Sequence, residues 1–279
     1  MKGIISGIKR MESHDGDGLR TTVFFKGCPL KCIWCHNPES ISFKKQVAFY
    51  RDKCIQCGIC KGEHNDITAQ SCPVDALITY GTEYEANDLV YILMQDEVFF
   101  KNSGGGVTLS GGECLAQPDF AVAIAKKIKS KDISVYVDTC GFVKQESLES
   151  IIPFADKFLY DIKAIDSIVH KKCTGMDNEL ILENLKFLSE RECTIEIRYP
   201  LVNGYNDGEC DGIGEFLSNL KGISKVKVLQ YHHFAASRYQ ALAMTNTLPD
   251  TETTYEDIES TVKILKEYGL NAVNGMIEN

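Results

Sequence analysis

Short apolar runs rich in β-branched and aromatic residues alternate with longer amphipathic stretches along most of this chain. The short runs predict buried strands and the longer stretches predict helices, because burial repeats every two residues in a strand and every 3.6 in a helix. The predicted strands cover residues 1–10, 21–25, 107–109, 134–137, 157–160, 194–198, 225–229 and, more weakly, 271–273. The predicted helices cover residues 85–101, 118–130, 145–154, 178–190, 212–220 and 254–268, with Asn87, Asn178 and Thr254 as candidate caps.

This alternation indicates βαβ units and a parallel sheet. Six or seven strands on such a spacing predict an α/β fold, with the sheet curled into a full or partial barrel. The chain of 279 residues is long for one domain but suits a barrel. A cysteine-rich segment, residues 47–81, interrupts the alternation and is predicted to be an insertion, with its polar stretch 61–71 as a surface loop.

Composition narrows the class of protein. The chain is 44% hydrophobic and 25% charged, which is ordinary for a folded domain, and no apolar run approaches the length of a membrane span. Its formal net charge of -9 argues against nucleic acid as a partner. Its first ten residues lack the apolar core of a signal peptide. Twelve cysteines in a cytoplasmic protein then indicate metal sites, because a reducing cytosol disfavours disulfides.

Three cysteines carry the strongest chemical signal. Cys28, Cys32 and Cys35 have the spacing C-x3-C-x2-C and follow a predicted strand, on a loop of the kind that builds sites in α/β proteins. Three thiolates this close suit a soft metal or an iron–sulfur cluster. A [4Fe–4S] cluster held by three cysteines keeps one iron open to a small molecule. This spacing therefore favours chemistry at the cluster over plain electron storage.

The first cysteine group has two other interpretations. The three cysteines are small enough to serve as buried hydrophobic residues. A structural zinc ion is a stronger alternative, but it requires four ligands, usually in CxxC pairs. His36 is available as the fourth ligand. However, it directly follows Cys35, and adjacent residues rarely close one tetrahedron.

A second cysteine group lies in the insertion. Cys54, Cys57 and Cys60 have the C-x2-C-x2-C spacing of bacterial ferredoxins, and Cys72 is followed by proline as the last cysteine of such a run is. Eleven residues separate Cys60 from Cys72, where the common run has three. Four cysteines would close one cluster, which we expect to pass electrons or brace the fold. Zinc stays an alternative for this set. The remaining five cysteines are scattered, and we expect them to be core residues.

Polar motifs follow the predicted strands in the rest of the chain. They are Ser110-Gly-Gly-Glu113, Asp138-Thr-Cys-Gly141, Asp161-Ile-Lys163, Arg198 and His232. Paired glycines let a ligand approach the backbone, and Asp161 and Lys163 share one face of a strand end. Each motif alone is also explained by an ordinary turn or a solvated charge. The ordered set, at the carboxyl ends of successive strands, is what indicates a site for a charged metabolite.

With these motifs the chain resembles radical S-adenosylmethionine (SAM) enzymes, and more narrowly the glycyl radical enzyme activating enzymes of the pyruvate formate-lyase activating enzyme type. The resemblance covers nearly the whole chain, and the inserted ferredoxin-like module, residues 47–81, also occurs in many members. The matching segments are residues 14–20, 24–28, 32–37, 103–113, 138–141, 161–163, 197–199 and 230–232. The resemblance implies a partial (β/α)6-type parallel barrel over residues 1–279.

The resemblance also implies roles for individual residues. Cys28, Cys32 and Cys35 would ligate a [4Fe–4S] cluster, with the amino and carboxylate groups of SAM on its open iron. Cys54, Cys57, Cys60 and Cys72 would ligate one auxiliary [4Fe–4S] cluster. The implied SAM-pocket residues are Trp34, Cys35, His36, Gly112, Glu113, Asp161, Ile162, Lys163, Arg198 and His232. Asp138 and Thr139 are candidates for a monovalent cation, and Asp15 for contact with an incoming protein loop. Cys114 stands where proline commonly follows Gly-Gly-Glu.

The implied activity is reductive cleavage of SAM to methionine and a 5′-deoxyadenosyl radical, which takes a glycine Cα hydrogen from a partner glycyl radical enzyme. Flavodoxin or ferredoxin would donate the electron, no side chain would act as a general base, and the chain would be a cytoplasmic monomer that binds neither nucleic acid nor membrane. Two alternatives stay open: a radical SAM enzyme with a small-molecule substrate, and a non-enzymatic protein, either an iron–sulfur electron carrier or a zinc-bound structural protein. No residue in the sequence indicates which glycyl radical enzyme is the partner.

Overall fold

A computed structural model describes residues 1–277 of the chain. Its strands include the eight predicted ones, usually with one or two residues more at either end, and three within residues 46–85 that were not predicted. They are β1 (Lys2–Glu12), β2 (Arg20–Phe25), β3 (Gln46–Phe49), β4 (Leu77–Tyr80), β5 (Thr82–Glu85), β6 (Gly106–Gly111), β7 (Ser134–Thr139), β8 (Lys157–Asp161), β9 (Ile195–Leu201), β10 (Ile223–Gln230) and β11 (Ala272–Asn274).

The helices alternate with these strands. They are α1 (Asp66–Gln70), α2 (Ala86–Leu93), α3 (Glu97–Ser103), α4 (Pro118–Lys129), α5 (Gln145–Ile151), α6 (Ser167–Thr174), α7 (Glu179–Glu190), α8 (Cys210–Ser218), α9 (Ala236–Ala241) and α10 (Tyr255–Glu267). The sequence prediction did not include α6 or α9. None of the helices within residues 1–277 is long and apolar enough to cross a bilayer.

One large sheet organises the chain, in the order β11-β10-β9-β8-β7-β6-β2-β1-β5. From β2 to β11 every neighbouring pair is parallel, whereas β1 pairs antiparallel with both β2 and β5. The two ends of the sheet, β5 and β11, do not pair with each other, so the barrel is partial. Because parallel strands end at the same edge, the loops after β2, β6, β7, β8, β9 and β10 gather at one end of the barrel.

The sheet is buried on both faces, as is usual for parallel strands covered by helices. On the helix side, Val107 and Leu109 of β6 pack in the main core with Phe120 and Ile124 of α4. Each such side chain contributes about 1.5–3 kcal/mol by leaving water. The opposite face of β6 carries Thr108, which is also fully buried but hydrogen-bonded. The barrel interior is therefore polar where the helix side is apolar.

Several sequence predictions were wrong in detail. The predicted helix 85–101 is divided into α2 and α3 at Asp96, whose buried carboxylate accepts hydrogen bonds from Arg10 and Thr21. Asn87 lies inside α2 and is not its cap. The stretch 61–71 is not all loop, because α1 forms within it. Thr254 does cap α10, through a reciprocal pair of hydrogen bonds with Asp257.

The cysteine-rich segment forms a small unit of its own. Strands β3 and β4 make a separate two-stranded antiparallel sheet, in which Gln46 pairs with Tyr80 and Phe49 with Leu77. Between the two strands lie the second cysteine group and the short helix α1. The chain therefore leaves the barrel region at β3 and returns at β4 beside the point of departure.

Candidate functional site

The first cysteine group lies on the loop that leaves β2. Gly27 begins the loop with φ +105, a left-handed value that favours glycine, and a Cβ there would lie 2.3 Å from the Phe43 ring. The N–H groups of Gly27 and Cys28 donate to the carbonyls of Ser40 and Ile41, at 2.7 and 3.0 Å. These two hydrogen bonds fold the loop back on itself and hold the Cys28 thiol at the carboxyl end of β2.

Other elements secure the rest of this loop. The N–H of Ile33 donates to the Cys173 carbonyl on α6 at 2.9 Å. The N–H of Cys35 donates to the Cys32 carbonyl at 3.1 Å, and the Tyr239 hydroxyl on α9 donates to the Cys35 carbonyl at 3.2 Å. The loop is thus held between α6 and α9, so its three cysteines are fixed relative to the barrel.

The three thiols converge in a place where a bare thiolate is unfavourable. Burial raises the pKa of Cys32 to about 12. Burial also raises the pKa of Cys35, with further contributions from Cys32 and Cys28. A hydrogen bond from the Cys140 thiol lowers the pKa of Cys28. Ionisation of Cys32 and Cys35 therefore requires a positive partner beside them.

No three His, Cys, Asp or Glu side chains in the described part of the chain lie close enough together to hold one metal ion. A zinc ion needs its sulfur ligands within about 2.3 Å of one centre. An iron–sulfur cluster instead binds each thiolate at a different iron and spaces the sulfurs further apart. Iron analysis of the purified protein distinguishes the two.

The glycines after β6 bring its end against the first cysteine loop. A Cβ on Gly112 would lie 2.4 Å from the Gly27 carbonyl oxygen and 2.5 Å from that of Ser40. The N–H groups of Gly112 and Glu113 donate to the carbonyls of Phe25 and Gly27, at 2.9 and 2.8 Å. A larger residue at position 112 would separate these segments, so here the paired glycines do more than form a turn.

Glu113 is fully buried and joins the loops after β6 and β7. Its Oε2 accepts hydrogen bonds from the Thr139 hydroxyl at 2.8 Å and from the Cys140 N–H at 2.9 Å. Its Oε1 accepts from the Leu115 N–H at 2.9 Å. Burial raises the pKa of Glu113, which these hydrogen bonds oppose. The buried thiol of Cys114 lies 3.9 Å from the same carboxylate.

Asp138 and Thr139, the predicted cation ligands, point to different partners because neighbouring residues on a strand alternate in direction. The Asp138 carboxylate accepts from the Ser110 hydroxyl at 2.6 Å and lies 3.6 Å from Arg198. Burial raises the pKa of Asp138 to about 7, against the opposing effect of Arg198. The Thr139 hydroxyl is bonded to Glu113 instead.

The Asp161-Ile-Lys163 motif places an ion pair beside the thiols. Lys163 is buried, and its Nζ donates to Asp161 at 2.6 Å. Burial alone would lower the pKa of Lys163, but Asp161 and Cys32 raise it above its ordinary value. Ile162, between them, is buried in the main core. The lysine therefore supplies a fixed positive charge next to the cysteine loop.

Arg198 on β9 lies at the centre of the polar interior. Its guanidinium is 3.5 Å from Asp15 and 3.6 Å from Asp138, and it donates to the His14 carbonyl at 3.1 Å. The Nε atom is buried and makes no hydrogen bond within residues 1–277, and the Glu196 carboxylate lies 3.9 Å from it. The buried guanidinium is therefore a positive charge surrounded by three carboxylates.

The loop of residues 13–19 is tied over the other side of this interior. Asp17 accepts from the Tyr136 hydroxyl at 2.6 Å and from Lys157 at 2.5 Å. Burial would raise the pKa of Asp17, but these partners hold it below its usual range. Within the same loop, Asp15 accepts from the Thr22 hydroxyl at 2.7 Å. These bonds fix Asp15 at the barrel interior.

Aromatic rings line the side of the site next to Cys35. His36 and His232 stack with their centroids 4.0 Å apart, and the His36 ring bonds to the His232 carbonyl at 3.1 Å. Burial lowers the pKa of His36 to about 4, so this ring is neutral at pH 7. Trp34 is buried in a second small apolar cluster with Tyr231. This side of the site is therefore flat, apolar and uncharged.

The second cysteine group shares one apolar cavity in the inserted unit. The cavity is lined by Phe49, Cys54, Ile55, Gln56, Cys57, Gly58, Ile59, Cys60, Thr68, Cys72, Pro73, Val74, Ala76 and Leu77. All four predicted cysteine ligands thus face the same space, although Cys60 and Cys72 are far apart in sequence. Cys57 is exposed and the other three are half-buried.

Known proteins share both the motifs and the fold. Residues 22–217 match the Radical SAM superfamily, a segment that includes both cysteine groups. The chain is 41% identical over 267 residues to the trans-4-hydroxy-L-proline dehydratase activating enzyme of Clostridioides difficile, covering 87% of this chain and 88% of that one. It is 37% identical over 270 residues to the choline trimethylamine-lyase activating enzyme of Oleidesulfovibrio alaskensis, covering 86% and 87%.

The chain belongs to the glycyl radical enzyme activating enzymes of the radical SAM superfamily. A domain of the pyruvate-formate lyase-activating enzyme from Bacteroides vulgatus superposes on it with a TM-score of 0.53 and 30% identity, covering 61% of this chain and 98% of that domain. The predicted family and the predicted partial parallel barrel are therefore confirmed.

Membership implies that this activating enzyme uses a [4Fe–4S] cluster and SAM. The residues fit both groups. The buried thiols of Cys32 and Cys35 require a positive partner to ionise, which cluster iron supplies. The buried positive charges of Lys163 and Arg198 suit a carboxylate, which the methionine part of SAM carries.

Sequence reasoning missed two residues of this activating enzyme that hold the cysteine loop. Arg238 on α9 donates to the carbonyl of His36 at 2.9 Å, to Asn37 at 3.0 Å and to Glu39 at 3.2 Å. Tyr239 donates to Cys35, as described above. The only sequence signal is their position shortly after the Gln230-Tyr-His232 segment. Cys140 lies in the core, as predicted, and its thiol also lowers the pKa of Cys28.

Proposed function

We propose that this chain installs a glycyl radical on a partner enzyme by radical SAM chemistry. The observation that carries the proposal is the convergence of the Cys28, Cys32 and Cys35 thiols, with Lys163 and Arg198 beside them, at the carboxyl end of one parallel barrel. When bound together and reduced by one electron, the cluster and SAM supply methionine and a 5′-deoxyadenosyl radical, which removes a hydrogen atom from a glycine Cα.

The protein's own part is to bind and orient the methionine end of SAM. Gly112 and Glu113 supply backbone and carboxylate acceptors for its amino group, next to the cysteine loop. Arg198 and Lys163 supply buried positive charges for its carboxylate and the ribose hydroxyls. The amino group and the carboxylate of SAM carry opposite charges, so these two sets of protein groups fix the orientation of the ligand.

The aromatic side then holds the adenosine and excludes water. Trp34, His36 and His232 present an uncharged apolar wall beside Cys35. A radical formed against such a wall has few groups other than the substrate to react with. Asp15, fixed at the opposite side of the interior, is placed to contact the backbone of an entering glycine loop.

Relatives indicate which partners to test. The two named above activate trans-4-hydroxy-L-proline dehydratase and choline trimethylamine-lyase, and their identities to this chain, 41% and 37%, are similar. No residue described here selects between them. Both enzymes are therefore candidate substrates for this activase.

The test is direct. The anaerobically reconstituted protein is mixed with SAM, dithionite and each candidate partner, and 5′-deoxyadenosine is measured by chromatography and the glycyl radical by its EPR doublet. Cys32→Ala removes one thiol of the first group and should abolish both signals. Cys193→Ala, a half-buried cysteine outside the site, is the matched control and should retain them. Undiminished 5′-deoxyadenosine from Cys32→Ala would contradict the assignment.

We further propose that Cys54, Cys57, Cys60 and Cys72 hold one auxiliary [4Fe–4S] cluster in an inserted module of residues 47–81. The shared apolar cavity supports this, since four cysteines can complete such a cluster. Iron analysis tests it. Wild-type protein should carry about eight irons per chain and Cys57→Ala about four, because each cube holds four. About four irons in both would refute the second cluster.

The remaining expectations belong to the same proposal. Asp138 is the stronger half of the cation pair, since Thr139 is already bonded to Glu113. Replacement of potassium by a large organic cation should weaken SAM binding if a cation sits at Asp138.

Flavodoxin or ferredoxin serves as the electron donor, and the chain acts as a cytoplasmic monomer. Light scattering of the purified protein tests the monomer, and reduction assays with each carrier test the donor.

A further inference from the structure

The pairing of β8 with β9 ends beside the positive charges of the site. Asp161 is the last residue of β8 to pair, opposite Arg198 of β9, and the Ile162 N–H donates to the Arg198 carbonyl at 3.0 Å. Two residues further along β9 lies Pro200, which has no N–H with which to continue the ladder. Beyond this point the ends of the two strands need another connection to keep a fixed spacing.

Asn206 makes that connection. It is 1% exposed, and its Nδ2 donates to the carbonyl of Lys163 at 2.8 Å and to that of Pro200 at 2.7 Å. Its Oδ1 accepts from the Val202 N–H at 2.8 Å. Both N–H donors of the amide are therefore used, one on each strand end. A single buried side chain thus ties the Lys163 backbone to the end of β9.

Asn206 is itself held on β9. The hydroxyl of Tyr199, a buried residue of the main core, donates to the Asn206 carbonyl. The Asn206 N–H donates to the Val202 carbonyl at 3.2 Å. Residues 202–206 therefore fold back onto the strand that they leave, and the amide of Asn206 has a fixed position.

The same segment also holds the chain after Lys163. The Glu209 Oε2 accepts from the N–H groups of Ile165 and Asp166, each at 2.7 Å. Residues 206–209 therefore bond to the Lys163 carbonyl and to two N–H groups that follow it. The backbone of Lys163 has little freedom to move relative to β9.

The position of Lys163 matters because its charge is buried beside the first cysteine group. Its Nζ donates to Asp161 at 2.6 Å, and its charge also acts on the Cys32 thiol. Interactions of a buried charge depend strongly on distance. A misplacement of about 1 Å in an active site can cost about a hundredfold in rate. A residue that fixes the Lys163 backbone therefore affects the ligand that this charge binds.

We propose that Asn206 is a positioning residue that places Lys163 for the carboxylate of SAM. It acts through the Lys163 backbone and does not itself bind the ligand. The inference rests on the proposed function for the presence of SAM in this site. It goes further by giving residues 206–209, which lie outside every motif named from the sequence, a part in binding SAM.

The first test compares two asparagines. Asn184 is also 1% exposed, and its Nδ2 also donates to two carbonyls, those of Gly141 at 2.8 Å and Val143 at 2.7 Å. Asn206→Asp and Asn184→Asp each replace two donors by an oxygen, so each should lower the melting temperature by at least about 4 °C. In calorimetry of the anaerobically reconstituted protein, Asn206→Asp should raise the Kd for SAM about tenfold, whereas Asn184→Asp should leave it within about twofold. An equal increase for both variants would overturn the proposal.

A ligand without a carboxylate gives the second test. 5′-Methylthioadenosine has the adenosine and the sulfur of SAM but lacks its amino and carboxylate groups. Asn206→Asp should leave the Kd for this ligand within about twofold of wild type, because Lys163 then has no carboxylate to bind. A tenfold increase for both ligands would indicate a general distortion of the pocket and refute the role through Lys163. Asn206→Ser, which lacks the amide donors but adds no charge, gives the same comparison if Asn206→Asp does not fold.

A double-mutant cycle tests whether Asn206 acts through Lys163. In the Lys163→Met background, Asn206→Asp should raise the Kd for SAM less than about twofold, because the charge that Asn206 positions is already absent. A further tenfold increase would refute the proposal. A wild-type protein that binds SAM but forms neither 5′-deoxyadenosine nor a glycyl radical would refute the proposed function, while the Kd comparisons would still decide the role of Asn206.

Discussion

Substitution of Gly112 by alanine should displace the Gly-Gly-Glu segment from the cysteine loop. The added Cβ would lie 2.4 Å from the Gly27 carbonyl oxygen and 2.5 Å from that of Ser40. Both are backbone atoms that cannot rotate away, so one of the two segments must move. That movement would also stretch the hydrogen bonds from Gly112 to Phe25 and from Glu113 to Gly27.

The size of the effect follows from these contacts. Overpacking of this kind costs about 1–3 kcal/mol. Each hydrogen bond lost adds about 0.5–1.5 kcal/mol. For a chain of this size, each kcal/mol lowers the melting temperature by about 2–4 °C, so we expect a decrease of at least about 4 °C. The affinity for SAM should fall more than about tenfold, because the backbone that meets its amino group has moved.

The assay combines thermal melting, followed by circular dichroism, with SAM binding to the anaerobically reconstituted protein. Gly208→Ala is the matched control, since nothing lies within 4 Å of a Cβ there and its φ is not left-handed. The control should melt within about 1 °C of wild type and bind SAM equally well. A Gly112→Ala protein that matched the control in both measurements would refute the steric argument.

Three further predictions concern single side chains. Asp96→Asn should destabilise the protein at pH 7 by about 1–3 kcal/mol, because it weakens the buried acceptor of Arg10. Hydrogen bonds hold the pKa of Asp96 in the folded protein below its usual value, despite burial, so the stability difference from wild type should shrink as pH falls below about 4. Urea titrations of the apoprotein measure this difference, and a difference that does not change with pH would contradict the argument. Lys163→Met should weaken SAM binding about tenfold or more in calorimetry while retaining both clusters, and wild-type affinity would exclude the lysine from the pocket. Arg238→Ala should speed loss of iron from the first cluster to a chelator, because three bonds to the cysteine loop are lost, whereas equal release rates would show that α9 does not hold the loop.

The sequence predicted the parallel strands well because their signal is local. Runs such as Val107 to Leu109 are apolar and β-branched, and nearly any buried environment keeps them extended. The strand-end groups followed from the same pattern, since parallel strands bring their ends together. The division between α2 and α3 was not predictable in this way. It depends on Asp96, whose partner Arg10 is far away in sequence.

The candidate site was predicted in part for the same reason. Cysteine spacing and strand-end motifs are local features, so candidate ligands and candidate pocket residues follow from the sequence alone. Arg238 and Tyr239 bond to backbone carbonyls about two hundred residues earlier, and no local pattern shows such a bond. By contrast, helix α1 has a local signal in the sequence, the reciprocal cap formed by Asn65 and Thr68, and it was nevertheless missed.

The pairing of Gln46 with Tyr80 has a consequence for how such a chain can change over evolution or by design. Paired residues in neighbouring antiparallel strands have Cα atoms about 5 Å apart, a gap that one or two residues can bridge. The cysteine module can therefore be spliced out between Lys45 and Gly81 without stretching the barrel. A shortened chain of this kind would keep every strand of the large sheet, so the module behaves as an exchangeable part.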